Sequence, residues 1–206
     1  MVDFDQLLRT LSRHRPLFHS EADFQHEIAN TLRWMLPSGK VRLEVPLERP
    51  LNTAVDVLVW NNHLRLALEL KFITKKLESV VDEEFFSLKT QGATDTRRYD
   101  VLKDVVRMEK FAAHLAHQCA AVIVVTNDPA YWNGPKSMVT NDACFSLRQG
   151  RKISGKLEWA ETTGVGTKKG RELPINLRNE YLMQWQPYST VDAKNGCFKS
   201  LVLKVP

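Results

Sequence analysis

The sequence predicts a mixed α/β fold, and three observations lead to that prediction. Residues 53–60 and 64–72 are rich in Val, Leu and aromatic side chains, and two asparagines lie between them. Because Asn tolerates the positive φ of tight turns, these runs predict a β-hairpin. Residues 20–36 have the apolar spacing of a helix. Residues 120–126 form a continuous apolar run, which is typical of a buried central strand. A sheet with helices packed on it follows.

The first predicted helix covers residues 20–36. Ser20 is a suitable N-cap, with Asp23 three residues later as in a capping box. Pro37 and Gly39 end the helix. Its apolar stripe, which packs on the sheet, consists of Phe24, Ile28, Leu32 and Met35.

The remaining elements follow from the same patterns. Residues 40–48 alternate apolar and polar side chains and predict a strand before the hairpin. After the hairpin we expect a short helix around residues 77–89 and a longer helix from Asp95 or Thr96 to about His117. Residues 181–185 and 197–205 predict closing strands that extend or cover the sheet.

The hairpin brings three chemically useful side chains to one face. If Trp60 pairs with His63 across the turn, Asp56 lies opposite Ala67, and Glu69 lies diagonally from Asp56, roughly 7–8 Å away at Cα. Because side chains alternate with period two, Glu69 and Lys71 then share the face of Asp56. A loop with an odd number of residues would reverse the faces of one strand.

Asp56 distinguishes this face from the solvent-exposed side of an ordinary half-buried strand. The second strand alone, with its strict alternation, reads as any half-buried strand. In the first strand, however, Asp56 lies between Val55 and Val57. A carboxylate among apolar neighbours needs a partner, since burying it unpaired costs several kcal/mol. A metal ion together with Lys71 would supply that partner.

These residues resemble the motif of a known superfamily. An Asp, a hairpin and then Glu-x-Lys, here Asp56 followed by Glu69-Leu70-Lys71, is similar to the PD-(D/E)XK, or restriction-endonuclease-like, nucleases. The predicted order of helix, three strands, helix and strand is similar to their αβββαβ core, here about residues 18–130. Val55 replaces the proline that usually precedes the Asp.

The resemblance implies roles for the individual residues. Asp56 and Glu69 would hold Mg²⁺, with Mn²⁺ as a substitute, and the carbonyl of Leu70 would be a further ligand. Lys71 would orient the attacking water or neutralise developing charge. The first helix of the superfamily often contributes a glutamate. Glu21, on the centre line of the apolar stripe, is the first choice and Glu27 the second. Glu21 could instead only complement the helix dipole.

A basic, glycine-containing segment at residues 148–178 is the candidate nucleic-acid contact. Its candidate phosphate ligands are Lys168, Lys169 and Arg171. The alternative is a solvated surface loop without a special role.

Composition bounds the protein class. The 206 residues are enough for one domain with a substantial core, comprising the nuclease-like core and, over about residues 140–206, the basic segment and closing strands. A formal charge of +5 is compatible with a polyanionic partner. Three cysteines without paired spacing favour a reducing compartment, and the absence of a signal-like or membrane-spanning run points to the cytoplasm.

The sequence therefore predicts a Mg²⁺-dependent nuclease acting on nucleic acid, with DNA as the expected substrate. Two alternatives stay open: a catalytically silent member of the fold that binds nucleic acid or protein, and an unrelated α/β domain in which the triad is only a polar sheet face. Cutting both strands of a duplex would need two sites, which a homodimer supplies. Sequence specificity, DNA against RNA, and endo- against exonucleolytic action are not encoded in these patterns.

Overall fold

A computed structural model describes residues 2–47, 53–113, 118–134 and 140–205. The helices are α1 (Phe4–His14), α2 (Glu21–Met35), α3 (Thr94–Ala112), α4 (Ala130–Asn133) and α5 (Val165–Lys168). The strands are β1 (Lys40–Pro46), β2 (Ala54–Trp60), β3 (Arg65–Ile73), β4 (Leu77–Val81), β5 (Glu84–Leu88), β6 (Gln118–Thr126), β7 (Lys152–Leu157), β8 (Ile175–Leu182), β9 (Gln186–Thr190) and β10 (Cys197–Val205).

A six-stranded mixed sheet forms the centre of the molecule. Its strand order is β1-β2-β3-β6-β10-β9. β3 and β6 run parallel, and every other neighbouring pair is antiparallel. The predicted mixed α/β architecture is confirmed. The predicted closing strand at residues 197–205 is confirmed too, and it pairs directly with β6.

Each face of the central sheet carries its own apolar core. On one face, Phe24, Ile28 and Leu32 of α2 pack with alternate residues of β2 and β3 such as Val57 and Leu68. On the other face, α3 packs against the intervening residues of the same strands. β6 contributes alternately to both cores, which explains its continuous apolar sequence.

Helix α2 has the predicted ends. The Ser20 hydroxyl accepts a hydrogen bond from the Asp23 N–H at 3.2 Å, as an N-cap does. The last helical residue is Met35, just before Pro37. α3 begins at Thr94, one residue before the predicted start, and is described to Ala113, whereas the predicted end near His117 lies outside the described residues. The same holds for Glu48 at the predicted end of β1.

The predicted short helix at residues 77–89 is wrong. The segment is a β-hairpin, β4-β5, in which Val81 pairs with Glu84. Asp82 and Glu83 between them both have positive φ, the geometry of a two-residue primed turn. Leu77, Phe86 and Leu88 are buried on one side of the hairpin, so the true period of this segment is two.

The basic segment is more ordered than predicted. It forms β7, α5 and the start of β8, and β7 pairs with β8 in a separate two-stranded sheet. The strand predicted at residues 181–185 is only partly correct, because β8 ends at Leu182 and contributes to this small sheet rather than to the central one.

Helix α1 had no counterpart among the predicted elements. Asp3 caps it by accepting hydrogen bonds from the N–H groups of Asp5 and Gln6. None of the helices in the described part of the chain combines the length and the apolar character needed to cross a membrane.

Candidate active site

The register of the central hairpin differs from the predicted one, but its faces do not. Trp60 pairs with Arg65 rather than with His63, so the loop has four residues instead of two. Leu58 therefore lies opposite Ala67, a place predicted for Asp56. The ladder ends at the pair of Val57 and Leu68, and beyond it the Leu70 N–H donates to the side chain of Asp56. Because the shift is two residues, the side-chain alternation is unchanged.

Asp56, Glu69 and Lys71 consequently share the sheet face on which α3 packs. Leu58 and Ala67 on that face belong to the core under α3. Asp56 and Glu69 thus do not point to opposite sides of the sheet. Opposite sides would have favoured the alternative of an unrelated α/β domain.

Asp56 is fixed by contacts to both neighbouring elements. Its Oδ2 accepts a hydrogen bond from the Leu70 N–H at 2.6 Å. Its carbonyl accepts one at 2.8 Å from Nε2 of Gln25, a buried residue of α2 that also donates to Glu44. Burial raises the pKa of Asp56, and the hydrogen bond from Leu70 opposes that rise.

Glu69 is the most deeply buried acid of the face. Its side chain is 1% exposed, and Oε2 forms an ion pair with Arg107 of α3. Oε1 is buried and has no hydrogen-bond partner among the described residues. Burial and the neighbouring Asp56 carboxylate raise the pKa of Glu69 to about 8, although Arg107 acts against that rise.

Lys71 joins the sheet to two helices. Its Nζ lies 3.1 Å from Asp104 Oδ2 of α3 and 3.9 Å from Glu21 Oε1 of α2. Burial acts to lower the pKa of Lys71, but the carboxylates of Asp104 and Glu21 outweigh it and raise that pKa. Lys71 is therefore a cation at neutral pH.

The helix glutamate that reaches this place is Glu21. Besides its contact with Lys71, its Oε2 accepts a hydrogen bond from the Phe72 N–H at 3.0 Å. Glu27, the second choice, is half-buried one and a half turns further along α2.

Two residues of α3 were not found from the sequence. Asp104 contacts Lys71, and its other oxygen lies 3.1 Å from Arg107 NH2. Arg107 also donates through NH1 to Thr53 Oγ1 at 3.0 Å. The sequence did contain a signal for Asp104. It lies three residues after Val101 and four before Met108, on an apolar stripe of α3, where a buried acid needs a polar partner.

Together these side chains form one acidic cluster, defined here as Glu21, Asp56, Glu69, Lys71, Asp104 and Arg107. Four of the six are carboxylates and two are cations, so the fully ionised cluster has an excess of two negative charges. One divalent cation would neutralise that excess.

The donor set of the cluster fits such an ion in part. Asp56, Glu69 and the Leu70 carbonyl offer the oxygen ligands that Mg²⁺ prefers, and the partnerless Oε1 of Glu69 is a buried acceptor in need of a cation. Within the described ranges, however, no group of three or more His, Cys, Asp or Glu side chains is arranged so that it could hold a metal ion. The Leu70 carbonyl instead accepts a hydrogen bond from Lys71 Nζ at 3.3 Å.

The candidate nucleic-acid ligands lie beside α3. Arg171 is not a free cation, since it makes two 2.7 Å contacts with the carboxylate of Asp100. Asp100 is one helical turn before Asp104, so this pair holds the segment near the acidic cluster. Lys168 is half-buried at the end of α5, and Lys169 is exposed.

Comparisons of the chain with protein-family models, with curated proteins and with solved structures found no match.

Proposed function

We propose that this protein is a Mg²⁺-dependent nuclease with DNA as its substrate and a restriction-endonuclease-like fold. One observation carries the proposal: Asp56, Glu69 and Lys71 share a sheet face, and the buried Glu69 has an oxygen without a partner. The order α2-β1-β2-β3-α3-β6, interrupted by the β4-β5 hairpin after β3 and with β3 parallel to β6, supports the assignment to the restriction-endonuclease-like fold.

In this mechanism the chain supplies ligands and charge. Asp56 and Glu69, with the Leu70 carbonyl, would hold the metal, and Glu21 could hold a second ion or a bound water. Mg²⁺ supplies charge stabilisation at the phosphate and a more acidic water. Lys71, kept protonated by Asp104 and Glu21, orients the water or neutralises charge that develops on the phosphate, and it does not act as a base.

Cleavage assays with two substitutions test the proposal. Purified wild type is incubated with supercoiled, linear and single-stranded DNA and with RNA, in Mg²⁺ or in chelator. We expect Mg²⁺-dependent DNA cleavage that falls at least about 100-fold in Asp56→Asn and Lys71→Met, because each removes a charge at the reacting phosphate.

Matched controls make that assay specific. Asp5→Asn and Lys110→Met change the same charges at exposed positions of α1 and α3, and both should cleave like wild type. Wild-type rates in folded Asp56→Asn or Lys71→Met would contradict the nuclease assignment.

A catalytically silent nucleic-acid or protein binder is the second candidate. The observation that favours it is the internal pairing of the acids, since Arg107 and Lys71 already provide protein partners for Glu69 and Asp104. Calorimetry with Mn²⁺ separates the candidates: metal binding that disappears in Asp56→Asn supports the nuclease, and its absence in wild type supports the binder.

The proposal extends to the setting of the enzyme. Cutting both strands of a duplex would require two sites, so we propose a homodimer, which light scattering with and without DNA tests.

The free state of Cys119, Cys144 and Cys197 supports a reducing compartment, for which we propose the cytoplasm.

A further inference from the structure

Arg107 has the position of a counter-ion in the acidic cluster. Its NH2 group contacts the carboxylates of both Glu69 and Asp104, and its NH1 group is fixed by Thr53. An arginine from the neighbouring helix therefore bridges two acids that come from different elements.

The Glu69 carboxylate requires a positive charge at this place. The side chain is 1% exposed, so water cannot solvate it, and a buried carboxylate without a partner is strongly destabilising. Lys71 is occupied elsewhere, because its closest carboxylates are Asp104 and Glu21. Among the described residues, Glu69 forms an ion pair only with Arg107.

Arg107 pairs with only one of the two carboxylate oxygens of Glu69. Oε1 of Glu69 has no hydrogen-bond partner, and neither has the buried Nε of Arg107. A bidentate arginine–carboxylate pair would satisfy such groups. The pair is thus one-sided, and with Glu69 ionised the cluster keeps its excess of two negative charges.

We propose that Arg107 holds the place of the divalent cation at Glu69, so that metal and guanidinium compete for this carboxylate and Arg107 sets the metal affinity of the site. This inference rests on the proposed nuclease function, because it needs a metal site at Asp56 and Glu69. It makes Arg107 a positioning residue that lowers metal affinity, rather than a ligand.

Titration calorimetry with Mn²⁺ alone tests the competition. We compare wild type with Arg107→Gln and Arg107→Lys, using Lys110→Gln as the control that loses the same charge one turn further along α3. Arg107→Gln should bind Mn²⁺ about tenfold more tightly than wild type, and Lys110→Gln should not.

A second readout is thermal unfolding. In chelator, at a pH at which Glu69 is ionised, Arg107→Gln should melt below wild type, because Glu69 loses its counter-ion, and saturating Mn²⁺ should raise its melting temperature more than that of wild type. If Arg107→Gln does not fold without metal, Arg107→Lys decides. A single ammonium cannot contact Glu69, Asp104 and Thr53 together, so this variant should also bind Mn²⁺ more tightly than wild type.

A double variant tests whether the effect acts through Glu69. In a protein that already carries Glu69→Gln, adding Arg107→Gln should no longer raise the Mn²⁺ affinity, and a gain that persists would overturn the inference. An affinity equal to or below wild type in both Arg107 variants overturns it as well, while the metal site stands. Absence of Asp56-dependent Mn²⁺ binding in wild type and variants would remove the proposed function and the inference together.

Discussion

Glu69 is the residue in which structure and chemistry are most closely connected. It is a carboxylate among apolar strands, with one oxygen paired to Arg107 and one without a partner. Folding alone gives no reason to keep such a pair, because replacing both Glu69 and Arg107 by apolar side chains of similar volume would often be neutral or stabilising. A function that needs the charge explains its presence.

The raised pKa of Glu69 has a consequence for stability against pH. Its ordinary value is 4.5 and its folded value is about 8, so between those pH values the folded protein binds a proton that the unfolded chain has lost. The contribution of Glu69 to stability is complete below its unfolded pKa and is lost as pH rises through the folded one. In chelator, the free energy of unfolding of wild type relative to Glu69→Gln should therefore fall as pH rises through this window.

Urea denaturation at several pH values measures this difference. Glu161→Gln, at an exposed position, is the control for loss of a surface carboxylate, and its difference from wild type should stay constant. A wild-type advantage that grows with pH would contradict the raised pKa.

At this same scale the sequence revealed only part of the site. Asp56 was recognisable because valines flank it, and Glu69 and Lys71 because the predicted hairpin places them on the face of Asp56 in a Glu-x-Lys motif. Asp104 carried a signal, since it lies on the apolar stripe of α3, whereas nothing in the local sequence distinguishes Arg107 from the other charged residues of that helix. Their role depends on the packing of α3 over β3, which only the tertiary structure defines.

Among the elements, the β4-β5 hairpin shows where sequence reasoning failed. A short helix was predicted around residues 77–89, but Asp82 and Glu83 form a turn with positive φ, which non-glycine residues rarely adopt. Contacts far away in the chain stabilise this choice: Arg15 NH1 lies 2.6 Å from Glu84, and the His19 ring stacks on Phe86. Local propensity was overridden by tertiary contacts.

The segment around α5 carries a prediction about nucleic-acid binding. Arg171 ties it to Asp100 of α3, and Trp159 Nε1 donates to the Arg171 carbonyl at 2.8 Å, so the segment that follows Lys168 and Lys169 is fixed to α3. Replacing both lysines by Ala should weaken DNA binding and reduce the slope of log affinity against log salt by up to about 2, because two phosphate contacts are lost.

Lys152 and Lys156 on β7 provide the matched control for this element. They are exposed, and each pairs with an acid: Lys152 with Glu180 of β8, and Lys156 with Glu158 directly after β7. Their double Ala variant should bind DNA with the wild-type salt slope in fluorescence anisotropy titrations. An equal loss in both double variants would show that net charge alone, and not the position of the α5 segment, governs binding.

On the scale of the whole molecule, Glu109 connects the small β7-β8 sheet to the central core. This buried residue of α3 accepts hydrogen bonds from the N–H groups of Arg178 and Asn179, from the Asn179 side chain and from the Tyr181 hydroxyl. The single domain that the sequence predicts needs such a connection, because the two sheets share no strand.

Removing Glu109 should therefore destabilise the whole protein. Glu109→Ala leaves several buried donors unpaired, and we expect a loss of about 3 kcal/mol in the free energy of unfolding, in one transition seen alike by circular dichroism and tryptophan fluorescence. Glu180→Ala, on the exposed side of β8, should lose less than about 0.5 kcal/mol. Two separate transitions would show that the small sheet unfolds by itself.

The position of β10 has a consequence for how the chain is made. β10 lies between β6 and β9, yet residues 127–196 separate it from β6 along the chain. On the ribosome, at about 5–20 residues per second, the apolar β6 thus waits several seconds for its neighbour, with one row of peptide groups open to any other extended segment. We therefore expect newborn copies to be most prone to mutual aggregation in that interval.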